Sequence, residues 1–91
     1  MAAAQITDFI PAEGTVTMFS TGWCGFCKRL KFALDNAGIA YTEVNIEAVE
    51  GTEDLVKSVN DGNAIVPTLV FPNGTTATNP SLRDVQTRLS L

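Results

Sequence analysis

Apolar residues in this chain come in short runs, and the spacing between them changes character from one run to the next. Thr15-Val16-Thr17-Met18-Phe19-Ser20 is β-branched and apolar over a short span, which predicts a buried strand. From about Gly25 to Ala37 the period becomes helical. Phe26, Cys27, Leu30, Ala33, Leu34 and Ala37 then share one face, and Gly38 follows as a stop. Tyr41 to Ile46 reads as a second strand. Thr52-Glu53-Asp54 opens a short helix with acid in its first turn, Leu55, Val56 and Val59 face inward, and Asn60-Asp61-Gly62-Asn63 ends it. Thr68-Leu69-Val70-Phe71 is a third strand, Pro72-Asn73-Gly74 a turn, and Thr75 to Thr78 a fourth strand closing a hairpin. Asn79-Pro80 reads as a cap-then-proline helix start, and Leu82, Val85 and Leu89 give the last helix its apolar face. Met1 to Gly14 reads as a flexible or loosely docked lead, with Pro11 and Gly14 as breakers.

The element order is therefore βαβαββα. A strand, a helix and a strand within about thirty residues make a right-handed unit with parallel strands. The expected fold class is α/β: one domain over residues 15–91, with a four-stranded mixed sheet and helices on both faces.

Length agrees with this, since 91 residues support one small domain. Charge narrows the function. Six Lys/Arg stand against ten Asp/Glu, a net charge of −4. An acidic domain without a basic stripe is a poor binder of nucleic acid or of anionic membranes. No segment reaches the roughly 20 apolar residues of a membrane helix. The start lacks the positive region and apolar stretch of a secretory signal, so a cytoplasmic location is expected; a monomeric state is expected as well.

The chemistry sits in Cys24-Gly25-Phe26-Cys27, which holds both cysteines of the chain. This stretch follows the first strand and opens the first helix. Positions i and i+3 in the first turn of a helix are neighbours, so the two sulfurs are able to close a disulfide. Cys24, at or just before the first helical residue, meets free backbone N–H groups and the positive end of the helix dipole. Both favour thiolate, the attacking species in disulfide exchange. Cys27 lies one turn in, on the apolar face. The roles read as Cys24 nucleophile and Cys27 resolving thiol. Lys28, Arg29 and Lys31 follow closely; Lys28 and Arg29 are assigned to thiolate stabilisation, with a solvated helix face as the alternative, strongest for Lys31. Zinc takes a tetrahedral ligand set, and two cysteines without histidine do not supply one, so no metal is expected.

Trp23-Cys24-Gly25-Phe26-Cys27, Val66-Pro67-Thr68 and the element order together resemble the glutaredoxins of the thioredoxin superfamily, over Thr15 to Leu91. The resemblance implies a cis bond at Val66–Pro67 and a Val66 backbone facing Cys24, ready to pair with an extended substrate. It places Trp23 in the substrate groove, with a loop-anchor role as the alternative, and adds Phe26. Gly25-Phe26 stands where that family usually has Pro-Tyr. Thr78-Asn79-Pro80-Ser81 stands where it has a Gly-Gly pair and acidic residues that hold glutathione. Ser58 to Asn63, Val66-Pro67-Thr68 and Ala77-Thr78-Asn79-Pro80 look like the mycoredoxins, the glutaredoxin-like proteins of actinobacteria. That likeness implies substrate contacts at Thr78, Asn79 and Ser81 and reduction of protein–mycothiol mixed disulfides. The partners implied are mycothiolated client proteins and mycothiol. No cofactor is bound in this reading; mycothiol is a co-substrate, regenerated with electrons from NADPH through mycothiol disulfide reductase. Two other readings accompany it. One is a dithiol donor of NrdH or glutaredoxin type, served by thioredoxin reductase or glutathione. The other is an iron–sulfur carrier, since Gly25-Phe26 also occurs in single-cysteine glutaredoxins.

Overall fold

The computed structural model describes residues 3–91; Met1 and Ala2, the start of the lead, lie outside the described residues. A 3-10 turn, Ile6–Phe9, comes first. Then follow β1 (Val16–Ser20), α1 (Gly25–Ala37), β2 (Tyr41–Asn45), α2 (Thr52–Val59), β3 (Thr68–Val70), β4 (Thr76–Thr78) and α3 (Leu82–Arg88), the order the sequence predicts.

The sheet order is β2-β1-β3-β4. β1 is central, parallel to β2 with Val16 opposite Tyr41, and antiparallel to β3 with Thr17 opposite Val70. Every residue of β1 is buried, as a strand covered on both faces requires. Strand alternation sorts the core into two layers. Val16, Met18, Leu69 and Phe71 pack with Cys27, Leu30 and Leu34 of α1 and Val85 of α3. Phe19 and Val70 point the other way, onto Leu55 and Val56 of α2.

The described part of the lead joins this second layer. Ala4, Ile6 and Phe9 pack against it, the Phe9 ring meets Phe19 edge-on at 5.1 Å, and Thr17 Oγ1 donates to the Phe9 carbonyl at 2.7 Å.

Two expectations need correction. The buried stripe of α1 is narrower than the sequence suggests. It comprises Cys27, Leu30 and Leu34, while Phe26 and Ala37 are exposed. At 100° per residue those two fall to one side of the Cys27–Leu30–Leu34 line, beyond the reach of the sheet. The last helix also begins later than Asn79-Pro80. Its N-cap is Ser81, whose Oγ accepts the Asp84 N–H at 3.1 Å. Asn79 is left-handed (φ 46°) and donates its N–H to the Pro67 carbonyl at 2.7 Å. That bond extends the β3–β4 ladder one residue past Thr78, so the chain turns into helix only at Ser81. Among the described residues no helix is long and apolar enough to cross a membrane.

Candidate active site

β1 delivers the chain to a tight turn in which the Cys24 N–H donates to the Thr21 carbonyl at 3.4 Å. Cys24 is extended (φ −83°, ψ 111°) and is the N-cap of α1. Its Sγ accepts the Cys27 backbone N–H at 3.1 Å. Side-chain oxygens usually fill this position; here a sulfur does.

Both cysteines are free, and Cys24 is 5% and Cys27 1% exposed. Burial, and then the hydrogen bond with the Cys24 side chain, push the Cys27 thiol from 9.0 up to about 12, against an opposing backbone bond from Thr21. Cys27 therefore keeps its proton across the physiological range.

The loop before β3 faces this sulfur. The Val66–Pro67 bond is cis, and the Cys24 thiol donates to the Val66 carbonyl at 3.7 Å. A clamp of side chains holds the loop. Thr68 Oγ1 donates to the Ile65 carbonyl at 2.8 Å, and Asn60 Nδ2 donates to Thr68 Oγ1 and to the Val56 carbonyl, each at 3.1 Å. Thr78 Oγ1 donates to Asn60 Oδ1. Thr78 and Asn60 thus commit their polar groups to the scaffold.

Two grooves flank Phe26. The first, about 380 Å³, is lined by Trp23, Cys24, Gly25, Phe26, Ala64, Ile65 and Val66. The second, about 330 Å³, runs between Phe26, Arg29, Leu30 and Ala33 of α1 and residues 79–82. Asn79 and Ser81 accordingly line the second groove, beside Phe26 rather than beside the cysteines. Pro67 is buried behind Val66. A further recess of about 470 Å³ lies between the lead and α2 and shares no residue with either groove.

The cations divide. Lys31 Nζ bonds Glu43 Oε2 at 2.9 Å, and the same oxygen accepts the Ser20 hydroxyl at 2.6 Å. The Ser20 hydroxyl first, and then Lys31, hold the Glu43 carboxyl below its ordinary value. Arg29 lies 5.7 Å from the Phe26 ring centroid, and Lys28 is on the exposed side of α1. Trp23 is exposed rather than half-buried, with its indole N–H on Glu47 Oε2 at 3.3 Å.

Sequence reasoning missed Ile65, the Trp23–Glu47 contact and the Asn60–Thr68 clamp. Ile65 had a signal, as an apolar residue directly preceding Val66-Pro67. The Trp23–Glu47 contact had none, its partners lying 24 positions apart.

A parallel β1–β2 pair, a dithiol heading the first helix and a proline loop facing it define a thioredoxin-like redox protein. The glutaredoxin family profile matches residues 16–75, and the chain belongs to the glutaredoxin family. It is 49% identical over 74 residues to a Mycobacterium tuberculosis protein named as a glutaredoxin, covering 81% of this chain and 88% of the relative. It is 44% identical over 70 residues to Mycoredoxin 1 of Corynebacterium glutamicum, covering 77% and 86%. The fold is similar to a Methanosarcina mazei glutaredoxin, with a TM-score of 0.71 at 18% identity over 100% of this chain and 85% of that one. It is also similar to an Archaeoglobus fulgidus glutaredoxin, with a TM-score of 0.62 at 21% identity over 86% and 88%. The protein is a thiol–disulfide oxidoreductase.

Proposed function

We propose that the protein reduces protein–mycothiol mixed disulfides. The observation that carries the chemistry is the Cys24 sulfur standing as N-cap of α1 in a groove, 3.7 Å from the Val66 carbonyl. The Cys24 thiolate attacks the mycothiol sulfur of the mixed disulfide. A Cys24–mycothiol disulfide forms, and the client leaves as a thiolate. A second mycothiol thiolate then attacks the mycothiol sulfur on Cys24. Mycothiol disulfide forms, Cys24 is released as thiolate, and NADPH returns the electrons through mycothiol disulfide reductase. Cys27, protonated and buried, is not needed in either step. Its slower attack on the Cys24–mycothiol bond closes a Cys24–Cys27 disulfide as a side path.

Kinship with Mycoredoxin 1 supports mycothiol as the recycling thiol. So does the second groove. Asn79 and Ser81 offer amide and hydroxyl groups beside Phe26, which suit the sugar hydroxyls of mycothiol. Val66 pairs with the client backbone, and Trp23 and Phe26 line the groove with Cys24.

The test is an NADPH-coupled assay on a mycothiolated protein, with mycothiol and glutathione compared as reductants. Mycothiol is expected to support turnover at least about tenfold faster. Cys27→Ser is expected to remain active. Equal loss in Cys24→Ser and Cys27→Ser, or faster turnover with glutathione, would overturn the reading.

A further inference from the structure

Two aromatic residues of the redox groove, Trp23 and Phe26, each carry a charged neighbour, and the two neighbours are of opposite sign. At the first, Glu47 Oε2 accepts the Trp23 indole N–H. Glu47 is held in place by its own N–H, which donates to Asn45 Oδ1 at 2.9 Å, and by its neighbour Ile46, buried with its N–H on the Ser20 carbonyl at 3.0 Å. Glu47 also lines a recess with Glu50, Glu53 and Asp54, which extends the negative field on that side. At the other aromatic residue the Arg29 guanidinium lies over Phe26 and lines the adjoining second groove. Trp23 and Phe26 are 72% and 57% exposed, and Cys24 lines the groove with them.

We propose that this groove selects client proteins by the order of charges around their reactive cysteine. The occupant it fits is an extended segment with a basic side chain toward Trp23 and Glu47 and an acidic side chain toward Phe26 and Arg29. The aromatic walls take the aliphatic stems of such side chains. These charges add little affinity singly, but they penalise the reversed order, in which carboxylate meets Glu47 and cation meets Arg29. Backbone pairing with Val66 fixes the direction in which a client lies across Cys24, so only one order of charges fits. This role is separate from the attack itself and does not depend on which small thiol recycles the enzyme.

The experiment uses two capped peptides of one composition, Lys-Ala-Cys-Ala-Glu and Glu-Ala-Cys-Ala-Lys. Each is a mixed disulfide with 2-mercaptoethanol, a neutral thiol. Reduced full-length protein consumes each under single turnover: Cys24 bonds to one sulfur, and the other leaves as thiolate. One peptide is expected to react roughly fivefold faster at low salt, a ratio that falls toward one in about 1 M salt. The preference is expected to reverse in a Glu47→Lys, Arg29→Glu double variant and to shrink in Glu47→Gln alone. The ratio of rates is read within each variant, so a general loss of activity cancels. Equal rates in the natural protein, or a ratio unmoved by these substitutions, overturns the proposal.

Discussion

Helix α1 begins on a sulfur and helix α3 begins on an oxygen. Cys24 Sγ accepts the Cys27 N–H at 3.1 Å, and Ser81 Oγ accepts the Asp84 N–H at 3.1 Å. The capping geometry is the same, three residues apart along the chain in each case. The surroundings differ. Ser81 is exposed, and its hydroxyl holds its proton at any ordinary pH, so the contact serves the helix alone. Cys24 is buried among core residues, faces the Val66 carbonyl and lines a groove open to substrate. A local device that steadies one helix becomes a reactive centre in the other once the capping atom can ionise.

The strongest way to break the comparison is to make the two caps alike. Cys24→Ser keeps an acceptor for the Cys27 N–H, so the fold is expected to persist while exchange falls by roughly three orders of magnitude or more. Mixed-disulfide turnover and a thermal melt on the same sample check both halves. Adding Ser81→Cys to that variant is expected to restore nothing, because a sulfur capping α3 faces no Val66 loop.

The second prediction concerns the partner thiol. Cys27 keeps its proton in the folded state up to about 12, whereas in the unfolded chain it loses it near 9.0. The folded state binds more protons between those values. The contribution is complete below pH 9 and declines as pH rises toward 12, by at most about 1.4 kcal/mol per pH unit. Urea melts at pH 8 and pH 10 are expected to show this decline, and Cys27→Ser is expected to lack it.

A smaller effect belongs to the oxygen cap. Ser81→Ala leaves the Asp84 N–H without its partner and is expected to cost about 1 kcal/mol, read as a lower urea midpoint with an unchanged slope. The smallest is at the acid end. The Glu43 carboxyl lies below its ordinary value of 4.5, so its contribution is present above that pH and is lost as pH falls. Glu43→Gln is expected to remove only a few tenths of a kcal/mol at neutral pH, since the pair is partly exposed and screened. A neutral-pH loss above about 1 kcal/mol would show that the Ser20–Glu43–Lys31 contact carries more than a surface ion pair.

Much of the fold was legible because its cues are local. Gly38 stops α1 in a left-handed conformation (φ 72°), where a helix end of this type calls for glycine. The β-branched, apolar run Thr15 to Ser20 predicted the buried strand β1. The start of α3 was misread because Asn79-Pro80 carries a local cap signal that a hairpin rung to Pro67 overrides. Spacing gave the width of the apolar stripe on α1, Phe26 and Ala37 included, but not how much of it a neighbouring layer covers.

The sequence by itself determined which sulfur caps α1. That depends only on a strand end, a turn and a first helical turn, all fixed by residues within a few positions of each other. Tertiary structure decided what the sulfur faces. The Val66 carbonyl is 42 positions from Cys24, Glu47 is 24 from Trp23, and Asn60 is 18 from Thr78. Such pairs form only when the sheet closes long loops. Their geometry depends on the packing of the whole core, which no local pattern along the chain encodes.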